Sequence, residues 1–307
     1  MHRLMLFVIA ILVKISSAYC QTNSENLPVL TGLYLGLKPP SATPEVFLPG
    51  VVSTQEFFEF SNTISPDGKE FYFVRRINNK DIPMVVRWEN GTLLQPEEAK
   101  FLKNVDGFEP HFSPDGSKLY ITRFAPPPSG INEDKNLSPQ DMEAQMVNIW
   151  AMDKQNTGWG EPKFCVNGMY VTTSNSGAIY TTDIRSRSLR ICRFQFVDGK
   201  YSQRESLNGG VNSPSPGAHP CITPDESYIV FDSKRGSDPE NADLFVCFKQ
   251  KDGNWSEAYR LDALNTNWND LCPAISPDGR YLFYMSKGDI YWVSTEVIWN
   301  AKSKQQK

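Results

Sequence analysis

The sequence predicts an all-β protein, a single β-propeller of four-stranded blades with five blades as the simplest count. A turn motif recurs along the chain, each copy lies between two apolar stretches rich in strand-forming residues, and further strand-like stretches follow each copy. Of the 307 residues, 40% are hydrophobic and 21% are charged, which excludes whole-chain disorder. The 37 aromatic residues, 22 Pro and 20 Gly suit many short strands joined by turns.

The recurring turn motif is Ser-Pro-Asp-Gly. It occurs at 65–68, 113–116 and 276–279, with the variants Thr-Pro-Asp-Glu at 223–226 and Ser-Asn-Ser-Gly at 174–177. The copies are spaced 48, 61, 49 and 53 residues apart. Pro fixes φ at the first turn position, Asp can bond to nearby backbone, and Gly accepts positive φ. Each copy therefore predicts a tight hairpin turn between two strands.

Four strand-like stretches per copy indicate propeller blades. The last copy, however, ends after its third strand, near Ser294. Residues 43–48 (TPEVFL) offer the missing strand, so we expect 43–294 to form the propeller, with a ring closed by this N-terminal strand. A ring of six blades is the alternative, if one blade lacks the turn motif.

The N-terminal residues have the pattern of a secretory signal. Arg3 precedes the apolar run Leu4–Val13, which is too short to span a bilayer, and the small residues Ser16 and Ala18 suit cleavage. We therefore predict a signal peptide over 1–20 and export to the periplasm or the extracellular space.

The remaining chain ends give further expectations. A lipid anchor at Cys20 is disfavoured because the bulky Tyr19 precedes it. Residues 21–42 are expected to form a lead-in and residues 295–307 a solvated C-terminal tail. No later stretch is long and apolar enough to span a membrane.

Composition excludes several functional classes. Five cysteines remain after cleavage, an odd number, so no disulfide framework is expected. Three His and the lack of H-E-x-x-H or C-x-x-C argue against a metal centre, and no cofactor is expected. The net charge of −4 and the absence of basic blocks argue against nucleic acid as a partner. We expect a monomer.

The repeats resemble those of the TolB-like, WD-like β-propellers of exported bacterial proteins. The shared pattern is x-P-x-[IF]-S-P-D-G-x-x-L-Y-F, best matched by EPHFSPDGSKLYITRF and CPAISPDGRYLFYMSKGDIYWV. The resemblance covers about residues 30–295, although the third copy lacks Pro and Asp in its turn. It implies a propeller that serves mostly in binding and scaffolding, and it does not name a ligand.

A functional site is expected where the innermost strands line the central channel. The residue before the Pro position of each innermost strand is predicted to form a ring: Ser61, Glu109, Tyr170, His219 and Cys272. The ionisable members, Glu109 and His219, are candidate ligand-binding residues, with Asp270 near them on an entering loop. The alternative is that these groups bond only to neighbouring backbone and water.

Cations follow the second strand of every blade. They are Arg75 and Arg76, Arg123, Arg185 and Arg187, Lys234 and Arg235, and Lys287. Such recurrence predicts a positive rim for an anionic ligand, with Arg75, Arg123, Arg185, Lys234 and Arg235 as candidates. The alternative is pairing with nearby acidic residues. The insertion Ala125–Gln145 is expected to carry a short helix over Gln140–Ala144 and to cover the mouth as a lid.

These observations favour a non-enzymatic binding or scaffold module for a glycan, a peptide or an envelope protein. One alternative is a glycan-active hydrolase or lyase, for which Glu109, Asp106, Asp270 and Glu59 are the candidate catalytic carboxylates. Another is an arm of a larger envelope assembly. No nucleophile elbow or phosphate-binding loop is present in the sequence.

Overall fold

The computed structural model describes residues 37–130, 143–185, 189–235 and 240–305. The predicted signal peptide, most of the lead-in and most of the insertion with its helix lie outside these residues. Within the described part of the chain, strands form five main sheets arranged as the blades of a propeller, as the sequence predicts, and no helix is long and apolar enough to cross a membrane.

The strands follow in chain order, with β1 (Glu45–Val46) ahead of the first blade. Blade 1 contains β2 (Phe58–Ile64), β3 (Glu70–Ile77), β4 (Lys80–Glu89), β5 (Thr92–Leu93) and β6 (Glu97–Glu98). Blade 2 contains β7 (Gly107–Phe112), β8 (Lys118–Phe124), β9 (Val147–Asp153) and β10 (Lys163–Asn167).

Blade 3 contains β11 (Met169–Thr173), β12 (Ile179–Asp183), β13 (Arg190–Phe194) and β16 (Glu205–Ser206), with the hairpin β14 (Phe196–Val197) and β15 (Lys200–Tyr201). Blade 4 contains β17 (Ala218–Ile222), β18 (Tyr228–Ser233), β19 (Asp243–Phe248) and β20 (Tyr259–Arg260). Blade 5 contains β21 (Asp270–Ile275), β22 (Tyr281–Ser286) and β23 (Asp289–Ser294).

The outer strand of blade 5 comes from the other end of the chain. The sheet order is β1-β23-β22-β21, with Glu45 opposite Trp292 and Val46 opposite Tyr291. Directly after β1, the ring of Phe47 packs against Phe71 of blade 1 and the aromatic rings of blade 5, and only 1% of Phe47 is exposed. The N-terminal segment thus joins the last blade to the first.

All five motif copies form the predicted hairpin turn. In each copy, the backbone N–H of the fourth residue donates to the carbonyl of the first. The fourth residue has positive φ in every turn, including Gly177 of the copy that lacks Pro and Asp, and Glu226 of the copy that lacks Gly. In the three Ser-Pro-Asp-Gly copies, the Ser hydroxyl also bonds to the Asp carboxylate at 2.6–2.7 Å.

The core lies between the blades. Five clusters of buried apolar side chains each join two neighbouring blades, one at every junction of the ring. Alternation of side chains along each strand allows this, because both faces of a blade meet another blade. The described part of the chain is therefore held as one closed ring.

Among the residues that the structure describes, the helical segments outside the blades include α1 (Lys100–Asn104), a 3₁₀ turn (Gly209–Val211) and α2 (Glu296–Gln305). The predicted solvated tail contains α2, whose Val297 and Ile298 are buried in the cluster between blades 4 and 5. Trp299 of α2 is half exposed and lies against Phe248 of blade 4.

Candidate ligand-binding site at the central channel

The five predicted ring residues occupy one special backbone position. In each blade the register between the innermost strand and the second strand shifts at this residue, as in a β-bulge. All five have φ in the left-handed region: Ser61 (46°), Glu109 (50°), Tyr170 (56°), His219 (44°) and Cys272 (54°). Because non-glycine residues adopt this region at a cost, neighbouring contacts must hold each bulge in place.

Hydrogen bonds between blades supply those contacts. The backbone N–H of Tyr170 donates to Thr122 Oγ1 of blade 2 and that of His219 to Thr182 Oγ1 of blade 3. The N–H of Cys272 donates to Asp232 Oδ1 of blade 4 at 3.2 Å. Three of the five bulges are thereby tied to the second strand of the preceding blade.

Tyr170 connects four blades. Its N–H also donates to Glu109 Oε2 of blade 2, its ring meets the ring of His219 edge-on at 5.0 Å, and its hydroxyl donates to the carbonyl of Pro273 in blade 5 at 2.9 Å. Only 4% of Tyr170 is exposed. Since blades 3 and 5 are not neighbours, the side chain reaches across the channel and narrows it at this level.

The buried carboxyl groups of Glu109 and Asp232 lie with the partly buried His219 beside Tyr170. Nδ1 of His219 lies 2.8 Å from Oδ1 of Asp232. Burial alone lowers the pKa of His219, but Asp232 and the charge of Glu109 outweigh it, so this pKa is raised above its ordinary value. Burial raises the pKa of Glu109, while His219 and Thr122 oppose that rise. The group can hold a proton on His219, and it is covered on one side by Tyr170.

A second tier of side chains lies two residues further along the innermost strands. Nε2 of His111 accepts from the N–H of Thr173, and Thr172 Oγ1 accepts from the N–H of Ile222. Burial lowers the pKa of His111 to about 4, so the ring is neutral and able to accept. These bonds again run from one blade to the next.

The other candidate carboxylates, Glu59, Asp270 and Asp106, do not bond to the group formed by Glu109, His219 and Asp232. Glu59 is fully buried and pairs with Arg75 at 2.8 Å and with Thr54. Asp270 is also fully buried and accepts from the N–H of Thr266 at 2.6 Å. Burial raises the pKa of both carboxyl groups. Asp106 is exposed, with φ of 48°.

The candidate cations have different environments. Arg75 is buried against Glu59 and donates to the carbonyls of Val51 and Val52. Arg235 donates to carbonyls of the loop before β17, among them Val211 and Ser213. These two arginines brace loops.

Of the remaining candidate cations, Arg123 lies over the ring of Trp150 at 4.7 Å. Arg185 is 3.4 Å from Asp183, and Lys234 is exposed.

The mouth of the channel carries exposed apolar side chains. They lie at the end of the blades where the innermost strands begin, in blades 1, 2, 3 and 5: Phe58, Phe124, Met146, Leu189 and Trp268, each between 36% and 57% exposed. We call these five residues the mouth rim. Phe124 is also stacked on Phe108 of the same blade at 5.2 Å, which holds its ring in place.

Several of these residues were missed by sequence reasoning. Thr122 and Asp232 follow the third residue of their turn by seven positions and Thr182 by six, a near-regularity that could have identified them. The mouth rim had no such signal, because the five residues differ in type and in distance from the turns. Isolated exposed apolar residues are common, and only their shared location distinguishes these.

Comparison with known proteins yields similarity in structure alone. No protein-family model and no curated protein matches the chain. Among solved structures, a protein described as TolB from Agrobacterium tumefaciens is 18% identical, with a TM-score of 0.47 over 74% of this chain and 69% of that one. TolB from Acinetobacter baumannii is also 18% identical, with a TM-score of 0.46 over 78% of this chain, which spans 54% of that protein.

A gluconolactonase from Xanthomonas campestris is 11% identical, with a TM-score of 0.45 over 87% of this chain and 97% of that one. TolB proteins are thus among the similar structures, in agreement with the resemblance of the repeats. At these identities the likeness concerns the fold.

Proposed function

We propose that this chain is an exported, non-enzymatic binding or scaffold module that holds an apolar segment of a peptide or envelope protein at its channel mouth. The mouth rim carries this proposal. The five side chains lie at one end of the propeller, and large apolar side chains exposed at one end of a fold can serve as an interaction surface. Phe124 and Trp268 are the expected anchors, because they are the most exposed aromatic members of the rim.

The buried carboxylates support binding over glycan hydrolysis. A glycosidase needs two carboxyl groups that face the bound sugar from opposite sides. Glu59 and Asp270 are fully buried, and each carboxylate bonds to the loop that precedes its strand. Glu109 accepts hydrogen bonds from Thr122 and Tyr170. Of the four candidate carboxylates, only Asp106 is exposed. The same burial makes Glu109 and Asp270 supports of the mouth rather than direct ligand contacts.

Selection from a random peptide library tests the proposal. Peptides selected on the mature protein should be rich in apolar residues, and Phe124→Ser or Trp268→Ser should weaken their binding by about tenfold or more, as expected when an interface anchor is lost. Trp299→Ser is the matched control, since Trp299 is 50% exposed and lies on α2.

The control should bind as the unmodified protein does. The proposal is contradicted if both rim variants bind the selected peptides as tightly as the unmodified protein does, or if no peptide is selected at all. A glycan array run on the same variants separates a sugar ligand from a peptide, because aromatic side chains can stack on either.

A further inference from the structure

Arg123, at the mouth of the channel, carries a guanidinium group that lacks an acceptor. It lies at the end of β8, opposite Gly107 and Asn148 in the two ladders and directly before Phe124 of the mouth rim. The side chain is partly buried, and its Nε has no hydrogen-bond partner among the described residues. No ion pair joins Arg123 to a described carboxylate, the exposed Asp106 of the neighbouring loop included.

The other described arginines at the ends of the second strands are engaged within the protein. Arg75 and Arg235 donate to carbonyls of the loops that they brace. Arg76 and Arg185 each bond to a nearby carboxylate. Arg123 therefore differs from its counterparts in the other blades, because its donors are not used to hold a loop or to neutralise an acid.

The ring of Trp150 holds this unused group in place. The guanidinium carbon of Arg123 lies 4.7 Å from the centroid of the Trp150 ring, against which Phe164 packs edge-on at 5.7 Å. Nε1 of Trp150 is also buried and has no acceptor in the described part of the chain. A guanidinium that is stacked on an aromatic ring can still present its donors to a carboxylate. The site has donors in fixed positions and lacks an acceptor.

This site adjoins the surface at which the partner segment is proposed to bind. Successive side chains of a strand point to opposite faces, so Arg123 lies with Trp150 and Phe124 lies with Phe108. A segment that crosses the end of β8 therefore meets both Arg123 and Phe124. Residues of an extended segment are about 3.3 Å apart, so the group that meets Arg123 belongs within about three residues of the apolar one.

We propose that Arg123 binds a carboxylate of the partner segment, the side chain of an Asp or Glu within about three residues of the apolar anchor. This inference rests on the proposed function, because the same segment presents the acid to Arg123 and the apolar residue to the mouth rim. Two parallel N–H···O bonds from the guanidinium hold the carboxylate and orient the segment across the mouth. The rim supplies affinity for apolar segments, and Arg123 selects the acidic ones among them.

Peptide selection from a random library on the mature protein is the first test. The selected peptides should be rich in Asp and Glu beside their apolar residues, and selection on Arg123→Gln should yield apolar peptides without this acidic preference. Arg280→Gln is the matched control, because it removes a guanidinium that is 70% exposed at the opposite end of the propeller. The acidic preference should persist in the control.

Calorimetric titration of one selected acidic peptide and of its amide counterpart measures the effect. Replacing the peptide's Asp by Asn, or its Glu by Gln, should weaken binding to the unmodified protein about tenfold or more, because charge-assisted hydrogen bonds are lost. The same replacement should change binding to Arg123→Gln by less than about twofold. Arg123→Lys should restore only part of the preference, because an ammonium group cannot form the paired bonds.

Three results overturn this proposal: no acidic preference among the selected peptides, an acidic preference that survives Arg123→Gln, or equal binding of the acidic and amide peptides to the unmodified protein. In each case, apolar peptides that depend on Phe124 and Trp268 leave the proposed function intact. Selection of no peptide overturns both proposals.

Discussion

At the scale of single residues, the five residues at the bulges of the innermost strands differ in type because each contacts different neighbours. Tyr170 is long enough to reach Pro273 in blade 5, whereas His219 only needs to meet Asp232 beside it. What the members share is the left-handed backbone of the bulge. The backbone position is thus repeated around the ring while the side-chain chemistry is not.

Tyr170→Phe tests the bond across the channel. Loss of the hydroxyl leaves the buried carbonyl of Pro273 without this donor, so the free energy of unfolding should fall by about 1 kcal/mol. Urea unfolding followed by tryptophan fluorescence measures the change. Tyr291→Phe, in a partly exposed tyrosine of blade 5, is the control and should stay within about 0.5 kcal/mol of the original protein. Equal values for both variants would mean that the bond adds no stability.

The lowered pKa of His111 predicts that the stability of the protein depends on pH. Its pKa is about 4 in the fold and about 6.5 in the unfolded chain, so the unfolded chain binds a proton first as the pH falls. Neutral His111 contributes to the free energy of unfolding above pH 6.5. This contribution is lost as the pH falls toward 4, by at most about 1.4 kcal/mol per pH unit.

His111→Gln offers an acceptor for Thr173 that does not titrate, which isolates this contribution. Other groups nearby also titrate, among them His219 and Glu109, whose raised pKa values give the opposite sign. The difference in unfolding free energy between the two proteins is therefore the quantity to follow from pH 7 to 4. A difference that does not vary with pH would contradict the lowered pKa and the neutral state of His111.

At the scale of elements, one of the two-residue strands closes the ring. β1 has two residues, yet it completes blade 5 and leads into Phe47, which fills the junction with blade 1. The hydroxyl of Ser53 extends this junction by donating to the carbonyl of Ile290 and accepting from its N–H. Packing between blades, rather than the strand pairing itself, is expected to hold the closure.

Phe47→Ala tests this interpretation. A cavity among Phe71, Phe283 and Trp292 should lower the free energy of unfolding by about 3–5 kcal/mol, the usual cost for a buried Phe. Phe196→Ala, at a site 43% exposed, is the control and should cost far less. Chemical denaturation measures both. A loss no larger than that of the control would show that the ring is closed by other contacts.

At the scale of the whole molecule, the sequence predicts the five blades because the turn motif repeats and its chemistry is local. Even the Ser-Asn-Ser-Gly copy forms the same turn, since Gly177 supplies the positive φ. The site is less predictable, because its contacts join residues far apart in the chain. In the sequence, Arg75 was a candidate ligand contact and Glu59 a candidate catalytic carboxylate, but the two residues pair with each other. Burial, which decides between those roles, is a property of the assembled ring.

The location of the ligand is the central claim of this account. Hydrogen–deuterium exchange, measured with and without a selected peptide, tests it directly. The account predicts slower exchange in the segments at the mouth, 53–58, 105–109 and 266–270, and no change in the hairpin turns at 65–68, 113–116 and 276–279. Slower exchange confined to those turns, with the mouth segments unchanged, would contradict it.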